Sequence, residues 1–188
     1  MCILRSYVCS CQANHKMNIF KCRICKKPFL AKEKPSHCIH CGVLSKNILN
    51  SYEELEDDFI MDTETKKLLE ILLEEKSKNL EFYRSIKEKT KTKKLKNLFE
   101  SFEKIEKKHS DIIRQMGIEL THKKTKREKE TDYNFDEDNI AECFHRKKHL
   151  LNNYKEIIKK TREPYIIEVV DAIYLAEKEH VKLIEEFL

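Results

Sequence analysis

The feature that most constrains the fold is an internal repeat. A gapless shift of 71 residues lays Lys76 on Lys147, Leu80 on Leu151, Tyr83 on Tyr154, Ile86 on Ile157 and Thr90 on Thr161. The same shift lays Glu106-Lys107-Lys108-His109 on Glu177-Lys178-Glu179-His180. Repeats of this kind mark a duplicated supersecondary unit, and the periodicity identifies the unit as a pair of helices. Leu69, Leu72, Leu73, Leu80 and Tyr83 recur at helical spacing, and Lys76 lies within about 40° of Leu72 and Leu80 at ~100° per residue. Phe99, Phe102, Ile105, Glu106, His109 and Ile113 form a second stripe, repeated by Val170, Ile173, Ala176, Glu177, His180 and Ile184. The matched polar residues therefore lie on faces that are otherwise apolar.

Four helices are predicted, at about 62–90, 93–117, 138–161 and 163–188, with Pro164 where a helix's first turn tolerates proline. Between the pairs, residues 118–138 show almost no apolar periodicity. Some twenty extended residues span about 65–70 Å at ~3.3 Å each, whereas a 29-residue helix is about 43 Å long. The connection can run the length of a bundle, and its basic run Lys123–Lys129 reads as a solvated crossover. Composition agrees: 38% of the 188 residues are charged, with two Gly, three Pro and no Trp, which favours surface-charged helices over a turn-rich β fold. The net charge of +5 is spread over 38 basic and 33 acidic residues and gives little support to a nucleic-acid partner.

Residues 20–42, FKCRICKKPFLAKEKPSHCIHCG, follow a different grammar. Cys22-x2-Cys25 and Cys38-x2-Cys41 stand twelve residues apart, a spacing at which two knuckles close a tetrahedral four-thiolate site for zinc or iron. No apolar run approaches the roughly 18 residues of a membrane span. The opening MCILRSYVCSCQ is a poor secretory signal, so a cytoplasmic location is expected. Eight cysteines in such a chain point to metal ligation before disulfides. Met17 precedes the knuckles, so residues 1–16 read as a tail or a misassigned start; Cys2, Cys9, Cys11 and His15 within them are an alternative second metal set. The expected units are 1–16, a four-cysteine module at 17–45, a polar linker from about residue 43, and a helical bundle at 62–188.

The four-cysteine segment resembles rubredoxin and the rubredoxin-like modules of rubrerythrins, with Phe20, Pro35 and Gly42 fitting and Lys26 standing where a glycine usually follows the first knuckle. The helical repeat resembles the ferritin-like superfamily, rubrerythrins in particular, with the module first as in the reverse-rubrerythrin order. The resemblance implies an all-α, ferritin-like four-helix bundle with a long crossover between helices two and three. Such bundles place one Glu from each of helices one and three beside a Glu-x-x-His from each of helices two and four. The pattern carries over at Glu106, His109, Glu177 and His180. At the other two ligand positions this chain has Lys76 and Lys147; Glu75 is rotated by about 100° and no acidic residue adjoins Lys147. By analogy, the family implies a homodimer and, with iron in the cysteine site, a redox partner.

Four carboxylates balance two divalent ions, whereas two carboxylates and two ammonium groups already balance one another. The expected bundle interior is therefore a Lys76/Lys147–Glu106/Glu177 ion-pair cluster. The alternatives are one metal held by Glu106, His109, Glu177 and His180, or the di-iron centre of the family. Tyr83 and Tyr154 either hydrogen-bond into this cluster or pack as plain core. Glu142, His145 and His149 share a face that reads as surface, and Cys143 reads as a small core residue. Three functions stand: a rubrerythrin-type oxidoreductase acting on peroxide or ferrous iron; a non-enzymatic metal-binding scaffold or adapter; and, last, nucleic-acid binding through Lys21, Arg23, Lys26, Lys27, Lys32 and Lys34.

Overall fold

The computed structural model describes residues 18–50, 61–120 and 135–188. Cys2, Cys9, Cys11, His15 and the run Lys123–Lys129 lie outside the described residues.

Local signals set each helix. The helix α1 (Thr63–Lys89) starts where the Asp62 carboxylate accepts from the Thr65 amide at 2.9 Å and from its hydroxyl at 2.7 Å, satisfying one of the donors a helix start leaves unpaired. It stops at Thr90, whose amide and hydroxyl both donate to Ile86 O, at 2.8 and 2.7 Å. The repeat reproduces the stop: Thr161 ends α3 (Asp136–Lys160) with its amide on Ile157 O at 2.9 Å. Pro164 then opens α4 (Pro164–Glu185). The helix α2 (Lys93–Gln115) runs out into Gly117 at φ +81°, the left-handed conformation that closes helix ends. Observed ends differ from the periodicity reading by at most three residues. The largest gain is at α3, where Asp136, Glu137 and Asp138 sit in the first turn and complement the positive end of the helix dipole.

Two contacts fix the helix directions. Thr92 Oγ1 donates to Asp136 Oδ2 at 2.8 Å, so α2 and α3 begin at the same end. Lys160 lies 3.5 Å from Glu64, so the end of α3 meets the start of α1. Consequently α2 and α3 run in the same sense.

The N-terminal unit is a three-stranded antiparallel sheet in the order β2 (Pro28–Ala31), β1 (Asn18–Cys22), β3 (Ile48–Leu49). Strand alternation buries Phe20 and Phe29, whose rings stack at 5.8 Å, and exposes the paired Ile19 and Leu30. The sheet runs on to Leu49, beyond residue 45, and Val43 and Ile48 are buried. These few apolar residues inside a polar stretch carry too short a period to be read as a strand. Each knuckle ends in a left-handed residue, Lys26 at φ +58° and Gly42 at φ +76°. That conformation costs a non-glycine residue ~1–2 kcal/mol, and it aims the Lys26 ammonium at the Tyr165 ring of α4, 5.2 Å from its centroid.

The apolar core is divided. One cluster joins the module to the bundle, with Cys22, Ile24, Val43 and Ile48 packed among Leu69, Leu72, Ile113, Val170 and Ile173. A second fills the far end with Tyr83, Phe99, Phe102, Ile140 and Ile184. Along every helix the sequence between the two clusters holds a charged residue: Lys76, Glu106, Lys147 and Glu177. No helix among the described residues is long and apolar enough to cross a membrane.

Candidate functional site

The knuckles bring the four cysteine sulfurs together. Cys22 and Cys41 Sγ are 3.8 Å apart, as are Cys25 and Cys38, and all four ligand atoms lie within 4.8 Å of one another. A tetrahedral ion with metal–sulfur bonds of ~2.3 Å sets its sulfurs ~3.8 Å apart, so the donor set fits zinc or iron. Backbone bonds hold the frame: Cys38 N donates to Val43 O at 2.8 Å, Gly42 N to Cys38 O at 2.9 Å, and His40 N to Cys38 Sγ at 3.4 Å. Hydrogen bonding between sulfurs splits the thiols. Cys22 (from Cys25) and Cys38 (from Cys22) are driven below the ordinary thiol pKa, while Cys25 and Cys41, both against Cys22, are driven above it. Four such sulfurs ionise together only with a cation among them.

The charged layer of the bundle is a closed ring. Lys76 Nζ donates to Glu106 Oε2 at 2.6 Å and to Glu177 Oε1 at 3.2 Å. Lys147 Nζ donates to Glu106 Oε1 at 2.6 Å and to Glu177 Oε2. All four side chains are 0% exposed, so the sequence reading's ion-pair cluster is present, each ammonium bridging both carboxylates. Each ammonium also faces the tyrosine of the other repeat, Lys76 over Tyr154 at 5.4 Å and Lys147 over Tyr83 at 5.6 Å. Lys147 further faces Phe102 at 5.1 Å.

Burial acts against every charge in the ring, and the opposite charges overcome it. Desolvation pushes both lysines down, yet Glu106 and Glu177 hold them above the usual ammonium range. Desolvation pushes Glu177 up, yet Lys147, Lys76 and the two histidines hold it well below the usual carboxylate range. Glu106 is likewise lowered, against burial and against Glu177, by Lys147 and Lys76.

The two histidines, equivalent in the repeat, are used differently. His109 Nδ1 lies 2.9 Å from Glu177 Oε1, and its Nε2 lies 2.9 Å from the main-chain oxygen of Cys41. Both ring nitrogens are thus engaged by groups that only accept. Burial, then the charge of Lys76, lowers the His109 pKa, in opposition to the carboxylate beside it. His180 Nδ1 lies 3.2 Å from Glu177 Oε2, and its ring stands 6.5 Å from that of His109.

Donor atoms of Glu106, His109 and Glu177 lie close enough together to hold an ion, but the ring does not fit a two-metal centre. Every oxygen of both carboxylates accepts from an ammonium. A dication ~4 Å from one ammonium is repelled by about 8 kcal/mol at an effective dielectric of ~20, and two ammonium groups are present.

The tyrosines do not hydrogen-bond into the ring. Tyr83 OH accepts from Cys143 Sγ at 3.7 Å, whereas Tyr154 OH is buried without a partner among the described residues. Cys143 is fully buried and its thiol is pushed up to about 12, chiefly by burial. Glu142 pairs with Arg146 at 2.6 Å, and His145 and His149 are exposed. Glu75 pairs with Lys78.

Linear reasoning missed the contact between module and bundle. Besides His109–Cys41, Arg23 meets Glu168 at 2.7 Å, His37 meets Glu179 at 2.7 Å and Lys46 meets Asp171 at 3.4 Å. The signal was available: Glu168, Asp171 and Glu179 share one face of a helix, opposite a basic module. Comparison with protein families, with curated proteins and with solved structures finds no match to this chain.

Proposed function

We propose that this chain is a rubrerythrin-related, non-enzymatic metal-binding protein. It takes one zinc or iron ion at Cys22, Cys25, Cys38 and Cys41, and it keeps a ferritin-like bundle whose two-metal site has been replaced by lysine. The observation that carries the reading is the ring in which Lys76 and Lys147 each bridge Glu106 and Glu177. The ring supplies two positive charges where the family's bundle would hold cations, and it is electrically closed without them. Helix directions, the long α2–α3 connection and the duplicated Glu-x-x-His registers support the ancestry. A fold outlives its chemistry when the site is lost, which makes a scaffold or adapter the function consistent with this interior.

An ion held by Cys22, Cys25, Cys38 and Cys41 would cross-link the two knuckles. The chain's own residues orient it: Val43, Gly42 and His40 fix the second knuckle, and the Phe20–Phe29 stack supports the sheet beneath the first.

A second reading is favoured by one observation, the mutual proximity of Glu106, His109 and Glu177: a single ion bound there with the lysines swung aside. Elemental analysis with a visible spectrum on freshly purified protein separates the two. One metal per chain, abolished by Cys22→Ser/Cys38→Ser, is expected. Two metals per chain support the second reading, and three irons with the oxidised-iron spectrum overturn the lysine argument altogether.

A further inference from the structure

We propose that His109 is a positioning residue that makes metal binding at the four cysteines and closure of the module over α2 and α4 a single coupled equilibrium. The bundle face is covered when a divalent ion is bound and released when the ion is lost. The proposal rests on the reading of the four cysteines as a metal site.

Three observations carry it. First, the module has little to hold it folded alone. Its strands are five, four and two residues long, and units under ~40 residues usually need a metal, disulfides or a partner. In such units metal binding and folding are one event. Second, Cys41 contributes to both sides of the boundary. Its sulfur belongs to the metal set, and its main-chain oxygen faces His109 Nε2 at 2.9 Å inside the bundle. Ligation of the sulfur would hold the residue whose main-chain oxygen His109 meets, which ties the two sides of the boundary together. Third, beside the Lys26 ammonium over the Tyr165 ring, the contacts described above are apolar or exposed. Cys22, Ile24, Val43 and Ile48 share one core cluster with Leu69, Leu72 and Ile113. The surrounding pairs, Arg23–Glu168, His37–Glu179 and Lys46–Asp171, all have a third or more of each side chain exposed, and pairs of that kind add little.

Coupling of this sort is reciprocal. If ion binding favours closure, the closed bundle raises ion affinity by the same factor. A single buried hydrogen bond to Cys41, with the loss incurred when its acceptor is left unpaired, corresponds to roughly a tenfold change in affinity. Loss of the ion would uncover His109 together with the acidic face Glu168, Asp171 and Glu179, a surface whose exposure reports metal status.

The test uses the full chain. Metal content of the wild type is measured first, and Co(II) affinity is then read by competition against a chromophoric chelator for wild type, His109→Ala and His109→Gln. His109→Ala is expected to bind about tenfold more weakly and to shift the Co(II)–thiolate absorption bands, while His109→Gln, which keeps a donor, recovers most of both. In parallel, amide hydrogen exchange is followed on the wild type before and after chelation. Faster exchange is expected in 106–113 and 166–180, with 143–157 on α3 changed much less. A folded His109→Ala protein with wild-type affinity and spectrum overturns the proposal, as does chelation that leaves α2 and α4 exchange unchanged. Should His109→Ala fail to fold, the exchange comparison decides alone. A wild type with no metal at the cysteines defeats the metal reading and this inference together, whereas a loaded site without coupling defeats only the inference.

Discussion

Lys76 Nζ and Glu106 Oε2 meet at 2.6 Å across the interface of α1 and α2, both side chains fully buried. The duplicated helices repeat the arrangement with Lys147 and Glu177, and the four groups close a ring of alternating charge between two apolar clusters. An ion pair held this deep gains strong attraction at the expense of hydration, so its net contribution to stability is small even though each partner is indispensable to the other.

That asymmetry gives the first prediction. Lys76→Met leaves Glu106 and Glu177 to share one ammonium and is expected to cost about 3–5 kcal/mol in urea unfolding of the metal-loaded protein. Replacing all four charges together, by Met at 76 and 147 and Leu at 106 and 177, is expected to be neutral or stabilising by up to about 4 kcal/mol. A single replacement costing less than ~1 kcal/mol would show that the ring is solvated rather than buried.

The second prediction reverses the charge. Lys76→Glu/Lys147→Glu gathers four carboxylates and two histidines, a donor set suited to divalent ions. Without metal the variant should melt below the wild type, because four carboxylates then repel one another. With ferrous iron or zinc it should take up two ions beyond the cysteine site and regain its melting temperature. Elemental analysis and melting curves with and without metal check this; a variant that gains no ions would show that the lysines are not what excludes them.

pH dependence provides a third. Burial raises Glu106 and Glu177, but Lys147 and Lys76 outweigh it and hold both below 4.5. The unfolded chain therefore binds more protons as acid is added, and this stabilisation is complete above pH 4.5 and lost as pH falls through the folded values. The lysines are shifted the other way, above 10.5. Their contribution is complete below pH 10.5 and lost as pH rises through the folded values. The difference in unfolding free energy between wild type and the four-residue apolar variant should be flat between about pH 8 and 10, above the range in which His109 titrates, and should fall in strong acid and in strong alkali. A slope between about pH 8 and 10 would contradict it.

The fourth concerns the tyrosines. Among the described residues Tyr154 OH is buried without a partner, whereas Tyr83 OH accepts from Cys143. Tyr154→Phe removes an unsatisfied hydroxyl and should stabilise the protein by about 1 kcal/mol, while Tyr83→Phe should be neutral or slightly destabilising. Thermal or urea unfolding of the two variants reads the difference. Equal effects would mean that the repeat's two halves are equivalent at this position.

Much of the fold is legible in the chain. Apolar residues three and four apart mark each helix face, and Thr90, Thr161, Pro164 and Gly117 mark the ends, because helix geometry and capping act over a few neighbouring residues. The inward direction of Lys76 and Lys147 is legible for the same reason: each lies on the stripe of its own helix. Residues 43–49 were not legible as strand, since Ile48 and Leu49 gain their structure only by pairing with β1.

The amino-acid sequence by itself determined four helices, two cysteine knuckles and a repeat that places lysine on the buried face twice, all consequences of spacing along one chain. Tertiary structure alone decided that each ammonium bridges both carboxylates and that His109, not its repeat partner His180, reaches the carbonyl of Cys41. It also decided that the module closes onto α4. These depend on distances between residues 30 to 142 positions apart, which packing fixes and local periodicity does not encode.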